Sequence, residues 1–400
     1  MTDKMNKSLK PGWRQVRFGD VVPLSKARSQ DPLADGIERY VGLEHLEPGD
    51  LRIRSWGNVA DGVTFTSIFQ PGQVLFGKRR AYQRKVAVAD FSGVCSGDIY
   101  VLETKNSEVL LPELLPFICQ TDAFFYHAVG TSAGSLRPRT NWTSLADFEF
   151  ALAPVDEQKR ILQALQASHV IVDSYSALVY ASELLWTSRT TDLFTTVESK
   201  DVRLLGDLVT YSSDGPFGSK LKTEHYSTQG ARVIRLNNID RLDFNATDSA
   251  FITLEYFREL RNYEVKAGDI IIAGLGDDRV PMGRACIVPP ELGLAINKAD
   301  CYCLRTNAEL SARYLIHFLN SKAGLSQARS MAQGTTRMRL NLSNIRRFSI
   351  PIRPLTDQYK LADELDSYLM AKKDAARRLE ASHLVRDQIR QSVFAEAPNV

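Results

Sequence analysis

Arg137-Pro-Arg139-Thr-Asn141 recurs 200 positions later as Arg337-Met-Arg339-Leu-Asn341, and this repeat decides the fold. The same offset continues downstream, where a phenylalanine, a proline and a glutamine recur in register. These pairs are Phe148 with Phe348, Pro154 with Pro354, and Gln158 with Gln358. A period of half the chain is typical of a duplicated domain, since short solenoid repeats have periods of ~20–50 residues. We therefore expect two similar domains.

The length and composition are those of a folded chain with more than one domain. The 400 residues exceed a single common core of ~100–150 residues, and 44% hydrophobic with 24% charged residues is usual for globular proteins. We find no apolar run near the ~18–20 residues of a membrane helix and no secretory signal in the Lys-rich start, so we expect a cytoplasmic protein. A net charge of +3 does not by itself indicate a polyanionic partner.

Each half of the sequence predicts short strands and helices followed by one long helix. Residues 114–126 and 312–323 have the pattern of helices, and β-branched and aromatic runs between turn residues predict strands. After Pro154 and Pro354, runs of roughly 40 residues lack Gly and Pro and carry an apolar stripe, which predicts two helices of ~60 Å. Because a globular domain lies between these helices, they can cover their stripes by packing antiparallel.

Motifs of catalysis are incomplete. Gly72-x-x-x-x-Gly77-Lys78 resembles a phosphate-binding loop, but Arg79 stands where a Ser or Thr must hold Mg²⁺. Gly130-Thr-Ser132-Ala-Gly134 has the spelling of a nucleophile elbow, but it follows a predicted helix instead of a strand. The five cysteines are an odd number without a Cys-x-x-Cys pair, which favours buried thiols over a metal site. We therefore expect no catalytic residue and no bound metal.

Basic and amide side chains on irregular segments are the remaining chemistry. Arg can pair with guanine and Asn with adenine in the DNA major groove, while Lys and surplus Arg suit phosphates. Such groups are also common on solvated surfaces, and the repeated Arg-x-Arg-x-Asn group equally fits a hydrogen-bond motif that closes each domain. The candidate DNA-binding residues are Lys78, Arg79, Arg80, Tyr82, Arg84, Lys85, Arg137, Arg139, Asn141, Arg235, Asn237, Asn238, Arg279, Arg284, Arg337, Arg339 and Asn341.

The segment Pro154-Val-Asp-Glu157-Gln158-Lys-Arg-Ile161 is close to the Pro-x-x-Glu-Gln-x-x-Ile opening of a central helix in a known family. Together with the duplication, it makes nearly the whole chain resemble the specificity subunits of type I restriction-modification systems. The second copy departs from the pattern, because Asp357 replaces the Glu and Tyr359-Lys-Leu361 replaces the basic pair and the Ile.

The resemblance implies an α+β fold of two tandem, similar target recognition domains. Each domain is followed by a long α-helix, and the two helices pack as an antiparallel coiled coil. The implied ranges are 1–153 and 199–353 for the domains, 154–198 for the central helix and 354–400 for the C-terminal helix.

The function that the resemblance implies is sequence-specific DNA recognition without catalysis. Each domain would read one half of a bipartite target, and the helix pair would set the spacing and dock two modification subunits for adenine N6 methylation. Restriction subunits, which translocate and cleave DNA, would join them. S-adenosylmethionine, ATP and Mg²⁺ would bind in these partners, and no cofactor would bind this chain. The candidate partner-interface residues are Glu157, Gln158, Arg160, Ile161, Asp357 and Gln358.

Other classes of function fit part of the sequence. A two-domain coiled-coil scaffold would use the long helices without touching nucleic acid. A recognition module of another restriction or methylation system would keep the DNA-reading domains. A nuclease or methyltransferase with an appended recognition domain would need a carboxylate cluster or a cofactor loop, and we find neither in the sequence.

Overall fold

The computed structural model describes residues 9–134, 138–195, 202–277, 279–334 and 338–394. The chain divides into two compact units. Unit 1 comprises Met1–Tyr175 with Arg378–Val400, and unit 2 comprises Ser176–Arg377.

Unit 1 consists of short strands and short helices, together with the first part of one long helix and the last part of another. Its strands are β1 (Arg14–Arg17), β2 (Arg39–Val41), β3 (Gly57–Asn58), β4 (Ser67–Phe69), β5 (Val74–Gly77), β6 (Val86–Val88), β7 (Gly93–Cys95), β8 (Ile99–Leu102), β9 (Ser132–Ala133), β10 (Arg139–Thr140) and β11 (Glu149–Leu152). Its short helices are α1 (Phe18–Val21), α2 (Leu115–Cys119), α3 (Asp122–Gly130) and α4 (Trp142–Ala146).

Two small sheets form the body of unit 1. In one, β5 lies between β6 and β8 and pairs antiparallel with both; in the other, the order is β3-β2-β7-β4, and β2 pairs parallel with β7. Alternate side chains of β5 enter different apolar clusters, Val74 and Phe76 on one face and Leu75 on the other. The antiparallel pair β1–β11 joins the start of the domain to its end, just before the long helix.

Unit 2 has a comparable set of elements. Its strands are β12 (Val202–Leu204), β13 (Val209–Ser213), β14 (Tyr226–Ser227), β15 (Ala231–Ile234), β16 (Ile239–Asp240), β17 (Asp243–Phe244), β18 (Phe251–Ile252), β19 (Glu264–Val265), β20 (Ile270–Ala273), β21 (Ala285–Ile287), β22 (Ala295–Asn297), β23 (Cys301–Thr306) and β24 (Ser349–Pro351). Its short helices are α6 (Leu254–Glu259), α7 (Ala312–Asn320), α8 (Lys322–Ser330) and α9 (Leu342–Arg346).

The strand pairings of unit 2 correspond to those of unit 1. Strand β20 pairs antiparallel with β21 and β23, in a sheet of order β13-β23-β20-β21. The second sheet has the order β14-β18-β15-β22-β19, with β15 and β22 parallel, and β12 pairs antiparallel with β24 at the ends of the domain. As in β5, alternate side chains of β20 enter different clusters, Ile270 and Ile272 in one and Ile271 in the other.

The helices predicted at 114–126 and 312–323 are each divided in two, which corrects the sequence expectation. The first becomes α2 and α3, and the second becomes α7 and α8. Thr121 and Ser321 lie at the breaks, where their hydroxyls accept hydrogen bonds from the backbone N–H groups of Phe124 and Gly324. A hydroxyl that caps the following helix favours an extended backbone at its own residue, so the preceding helix ends there.

The two predicted long helices are present as α5 (Val155–Thr195, 41 residues) and α10 (Leu355–Phe394, 40 residues). Within unit 2, Arg189 pairs with Glu364 at 2.7 Å and Glu183 pairs with Lys372 at 2.7 Å, so the two helices run in opposite directions there. Fully buried Trp186 of α5 and Leu365 of α10 belong to one apolar cluster. In the described part of the chain, no helix has the length and apolar character to cross a membrane.

Candidate nucleic-acid interface

In unit 1, the fold brings two of the predicted basic groups together at the end of strand β5. The Arg79 backbone forms a β-bridge with Arg139, and the N–H of Thr140 donates to the carbonyl of Lys78 at 3.0 Å. We call residues 78–85 the basic segment, and the pair β9–β10 the first hairpin. The basic segment and the first hairpin therefore lie side by side at one end of the β6-β5-β8 sheet.

One carboxylate holds these two segments together. Asp98, at the start of β8, receives hydrogen bonds from Arg79 at 3.1 Å and from Arg139 Nε at 2.7 Å. Burial acts to raise the pKa of Asp98, but the hydrogen bonds from Arg139 and Arg79 outweigh it and lower the pKa. Asp98 is thus a carboxylate between two guanidinium groups.

An aromatic ring supports the same junction. The ammonium of Lys78 lies 4.6 Å from the ring centroid of Tyr100, and the Tyr100 hydroxyl donates to the carbonyl of Thr140 at 3.2 Å. Partial burial lowers the pKa of Lys78, and the neighbouring charge of Arg139 acts in the same direction, against the opposite effect of Asp98. Lys78 is therefore a partly desolvated cation beside the hairpin.

The rest of the basic segment is a short turn held in an unusual backbone conformation. Arg80 and Arg84 flank a 3-10 turn with φ of 54° and 56°, in the left-handed region that costs energy for a residue with a Cβ. The Arg80 N–H donates to Pro138 O at 2.8 Å, whereas the Arg80 Nε is buried and has no hydrogen-bond partner among the described residues. Tyr82, at the tip of the turn, is 58% exposed. The turn thus presents Tyr82 to solvent.

Two cations of the basic segment have partners inside the protein. Arg84 pairs with Asp122, and its guanidinium lies 5.0 Å from the ring centroid of Phe125. Lys85 Nζ donates to the carbonyl of Leu43 at 2.7 Å. These contacts anchor the end of the segment to α3 and to the second sheet of unit 1.

Unit 2 has the same junction in its own β20-containing sheet. Arg339 Nε lies 2.6 Å from Asp300, and the Tyr302 hydroxyl donates to the carbonyl of Leu340 at 2.7 Å. The backbone of Arg339 bridges both Leu275, just after β20, and Gln333; we call residues 333–334 and 338–340 the second hairpin. The second hairpin is therefore held by an Asp, a Tyr and a strand end, as the first is.

The asparagines of the Arg-x-Arg-x-Asn repeat cap helices. Asn141 Oδ1 accepts from Ser144 N and Asn341 Oδ1 accepts from Asn344 N, both at 2.8 Å, at the starts of α4 and α9. These contacts support the hydrogen-bond alternative for both asparagines. Arg137 and Arg337 lie outside the described residues.

The other candidates of unit 2 divide between interior and surface. Arg284 is 6% exposed, and its guanidinium donates to the carbonyls of Leu236, Ile239, Leu275 and Pro281, which gives it a structural role. Asn238 is fully buried, and Arg235 pairs with Asp248. Asn237 and Arg279 are exposed. Of these five candidates, only Asn237 and Arg279 have side chains that are exposed to solvent.

The partner-interface candidates divide in the same way. Gln158 and Gln358 are fully buried, and each amide makes three hydrogen bonds that fasten the start of a long helix to its domain. Ile161 is 8% exposed and belongs to the core of unit 1. These three side chains are not accessible to a partner. Arg160 and Asp357 are exposed, and Glu157 is half-buried.

Asp98-Ile-Tyr100 and Asp300-Cys-Tyr302 correspond in the two halves of the sequence, but neither the Asp nor the Tyr was among the predicted site residues. The repeat was the signal that could have found them, since the same two polar side chains precede each Arg-x-Arg-x-Asn group. Among the described residues, no group of three or more His, Cys, Asp or Glu side chains is placed to hold a metal ion. All five cysteines are buried free thiols, as expected.

Comparison with known proteins finds a match to a family model in the second half of the chain. Residues 197–379 match the family model described as the type I restriction modification DNA specificity domain.

Individual relatives agree with this match. The EcoDI type I specificity subunit of Escherichia coli is 27% identical over 177 residues, which are 42% of this chain and 37% of that subunit. The matched segment thus spans little more than a third of the relative's length. The StySPI type I specificity subunit of Salmonella potsdam is also 27% identical, over 41% of this chain and 35% of its own length. A solved type I S subunit from M. genitalium shares the fold, with a TM-score of 0.61 at 14% identity and coverage of 100% of both chains.

Proposed function

We propose that the chain, whose residues 197–379 match the type I restriction modification DNA specificity domain, is a specificity subunit that reads a bipartite DNA target. Each of the two tandem domains, in the ranges 1–153 and 199–353, recognises one half of the target. The long helices at 154–198 and 354–400 pack as an antiparallel coiled coil that sets the distance between the halves.

The observation that carries the proposal is the family match together with a junction of one design in both domains. In each domain an Asp and a Tyr hold an Arg-containing hairpin at the end of a central strand. Positive side chains lie beside the first hairpin, where Lys78 and Arg80 make no ion pair among the described residues and Tyr82 is exposed. Arg, Lys and an exposed aromatic ring are the groups that contact base edges and phosphates.

The lengths of the helices suit a spacer. Two readers on one face of DNA can contact major-groove segments about one turn apart, ~34–36 Å along the axis, and a helix of ~60 Å spans that distance. Joining two weak readers on one chain makes the second contact intramolecular, which raises the overall selectivity.

Partner subunits carry out methylation, translocation and cleavage. We propose that two modification subunits, with S-adenosylmethionine, methylate adenine N6 in the cytoplasm, and that restriction subunits with ATP and Mg²⁺ translocate and cleave. Large apolar side chains on the long helices remain exposed in unit 2, which supports a docking surface there. They are Leu178, Leu184 and Leu185 of α5 and Met370 of α10. Glu157, Arg160 and Asp357 remain candidates for the same docking, because their side chains reach solvent.

A gel-shift titration tests the proposal. The chain alone is expected to bind DNA weakly, and its complex with modification subunits is expected to bind a target identified by methylome sequencing specifically. Changing either half-site should abolish the specific complex. Tight, specific binding by the chain alone would refute the partner dependence, and a complex without sequence preference would favour the scaffold alternative. Calorimetry with S-adenosylmethionine is expected to give no heat of binding with the chain alone.

A further inference from the structure

We propose that Asp98 and Asp300 are positioning residues, which orient Arg139 and Arg339 so that each arginine presents its remaining N–H groups to one DNA half-site. This inference rests on the proposed function and goes beyond it, because it assigns a specificity role to two carboxylates that cannot contact DNA favourably themselves. DNA phosphates repel a carboxylate, so each aspartate can contribute to recognition only by orienting the arginine that it pairs with.

The first step is the geometry of the ion pairs. Asp98 accepts from Arg139 at the Nε edge, at 2.7 Å, with a longer contact of 3.4 Å to one terminal nitrogen. Arg339 Nε lies 2.6 Å from Asp300 Oδ1, on the same edge of the guanidinium, as an ion pair without the aligned hydrogen bond of the first pair. A guanidinium has five N–H donors in a rigid fork, so a partner on the Nε edge leaves donors on the opposite edge for another acceptor.

The second step is the difference in exposure within each pair. The side chain of Asp98 is 16% exposed, whereas that of Arg139 is 54% exposed. In the other unit the values are 20% for Asp300 and 52% for Arg339. Each carboxylate is therefore set back in the protein, while its arginine extends to the surface. A sheltered carboxylate that fixes an exposed arginine restricts the rotamers of a long side chain before DNA arrives.

The third step is that the backbone carrying each arginine is fixed independently. Tyr100 and Tyr302 donate to the carbonyls of Thr140 and Leu340, the residues directly after the two arginines. The β-bridges of Arg139 with Arg79, and of Arg339 with Leu275, fix the same backbone. Loss of the carboxylate should therefore release the side chain and leave the hairpin in place.

The fourth step is repetition. The two junctions use residues of different local sequence, since the segment after β5 is basic and the segment after β20 contains Asp277 and Asp278. The Asp–Arg pair and the Tyr contact recur although these neighbouring segments differ. The pair recurs at the same position of the duplicated hairpin, and its arginine is more than half exposed in both domains.

The test uses the full chain in complex with its modification subunits. For each half-site, selectivity is the Kd for DNA with that half-site altered, divided by the Kd for the intact target. Asp98→Asn should lower the selectivity for one half-site by about tenfold, the size of one lost oriented base contact, and leave the other half-site within about twofold. Asp300→Asn should do the converse.

A double-mutant cycle separates positioning from folding. If Asp98 acts through Arg139, Asp98→Asn should have no further effect on selectivity in an Arg139→Ala chain. Asp98→Glu, which keeps the charge, should retain more selectivity than Asp98→Asn. Asp269→Asn is the matched control, because Asp269 pairs with Arg305 at the other end of β20 and should affect stability without changing either selectivity.

Unchanged selectivity in Asp98→Asn and Asp300→Asn would overturn the inference, and so would effects of Asp98→Asn and Arg139→Ala that simply add. An equal loss at both half-sites would overturn it as well, because it would indicate a general folding defect. The proposed function fails separately, if the complex that contains the chain without substitutions shows no selectivity for two half-sites.

Discussion

Lys78 and Arg80 are two cations of the basic segment that make no ion pair among the described residues, and Arg80 also has an unsatisfied Nε. We expect the double change Lys78→Ala with Arg80→Ala to weaken DNA binding by the complex by ~1–3 kcal/mol for a lost base contact, at one half-site only. Arg54→Ala is the control, since Arg54 pairs with Asp50. Competition binding with altered half-sites measures the affinity of the double variant and of the control. Equal impairment of the two half-sites would contradict the prediction.

Asp98 gives a pH dependence with a definite sign. Its pKa in the folded chain is lowered, so its contribution to stability is complete above the unfolded pKa of ~3.9 and is lost as pH falls through the folded pKa. The difference in Tm between the chain without substitutions and the Asp98→Asn variant should therefore be constant above about pH 5 and shrink in more acidic solution. Thermal unfolding followed by circular dichroism across this range checks it. A difference that grows on acidification would show that the sign is wrong.

Gln158 shows how much a buried amide can contribute. Its side chain accepts from Leu111 N and donates to Val109 O and Ala153 O, so Gln158→Ala leaves three backbone groups unsatisfied, two of them in partly buried contacts. We expect a loss of about 2–4 kcal/mol in the free energy of unfolding, since each unmet group costs ~1–3 kcal/mol before relaxation. Urea denaturation measures the loss. Gln163→Ala, at an exposed position of the same helix, should stay within about 0.5 kcal/mol.

At the scale of elements, the long helices depend on buried contacts more than on their exposed ion pairs. Leu365 is fully buried with Trp186, whereas Leu384 of the same helix is 62% exposed. Leu365→Ala should cost about 2–5 kcal/mol, because it removes apolar contacts and leaves a cavity. Leu384→Ala should cost much less and serves as the control in the same denaturation experiment. Equal costs for the two would mean that α10 is not packed as described.

The contacts around His317 show how α5 and α10 are joined to the second domain within unit 2. Trp186 Nε1 of α5 donates to His317 Nδ1 at 3.0 Å, and His317 Nε2 lies 2.9 Å from Asp366 of α10. A ring that accepts at Nδ1 carries its proton at Nε2, so His317 bridges the two helices with one hydrogen bond in each direction. This bridge and the Arg189–Glu364 pair fix which faces of the helices meet.

At the scale of the whole molecule, the proposed spacer makes a geometric prediction. Inserting four residues into α5 lengthens the helix by ~6 Å and rotates its C-terminal part by only ~40°, so the helix faces are largely kept. The number of base pairs between the two half-sites should then increase, while the half-site sequences stay the same. Methylome sequencing of cells that carry the modified chain with its modification subunits reads both. An unchanged spacing would contradict the role of the helices as a spacer.

The sequence alone determined the features that depend on local pattern. The register of Arg-x-Arg-x-Asn revealed the repeat, and the runs without Gly or Pro predicted both long helices, which begin directly after Pro154 and Pro354. The family resemblance also came from the sequence, since it rests on Gln158 and its neighbours in the opening of α5.

Tertiary structure decided what each polar side chain does. The sequence could not show that Gln158 and Gln358 are buried anchors, that Arg284 is enclosed by carbonyls, or that Arg139 lies against Asp98, 41 positions earlier. Hydrogen-bond partners of this kind are far apart in the chain and meet only when the strands pair. The energy of an arginine depends on what surrounds it, so identical residue types serve as structural groups at one position and as candidates for DNA contact at another.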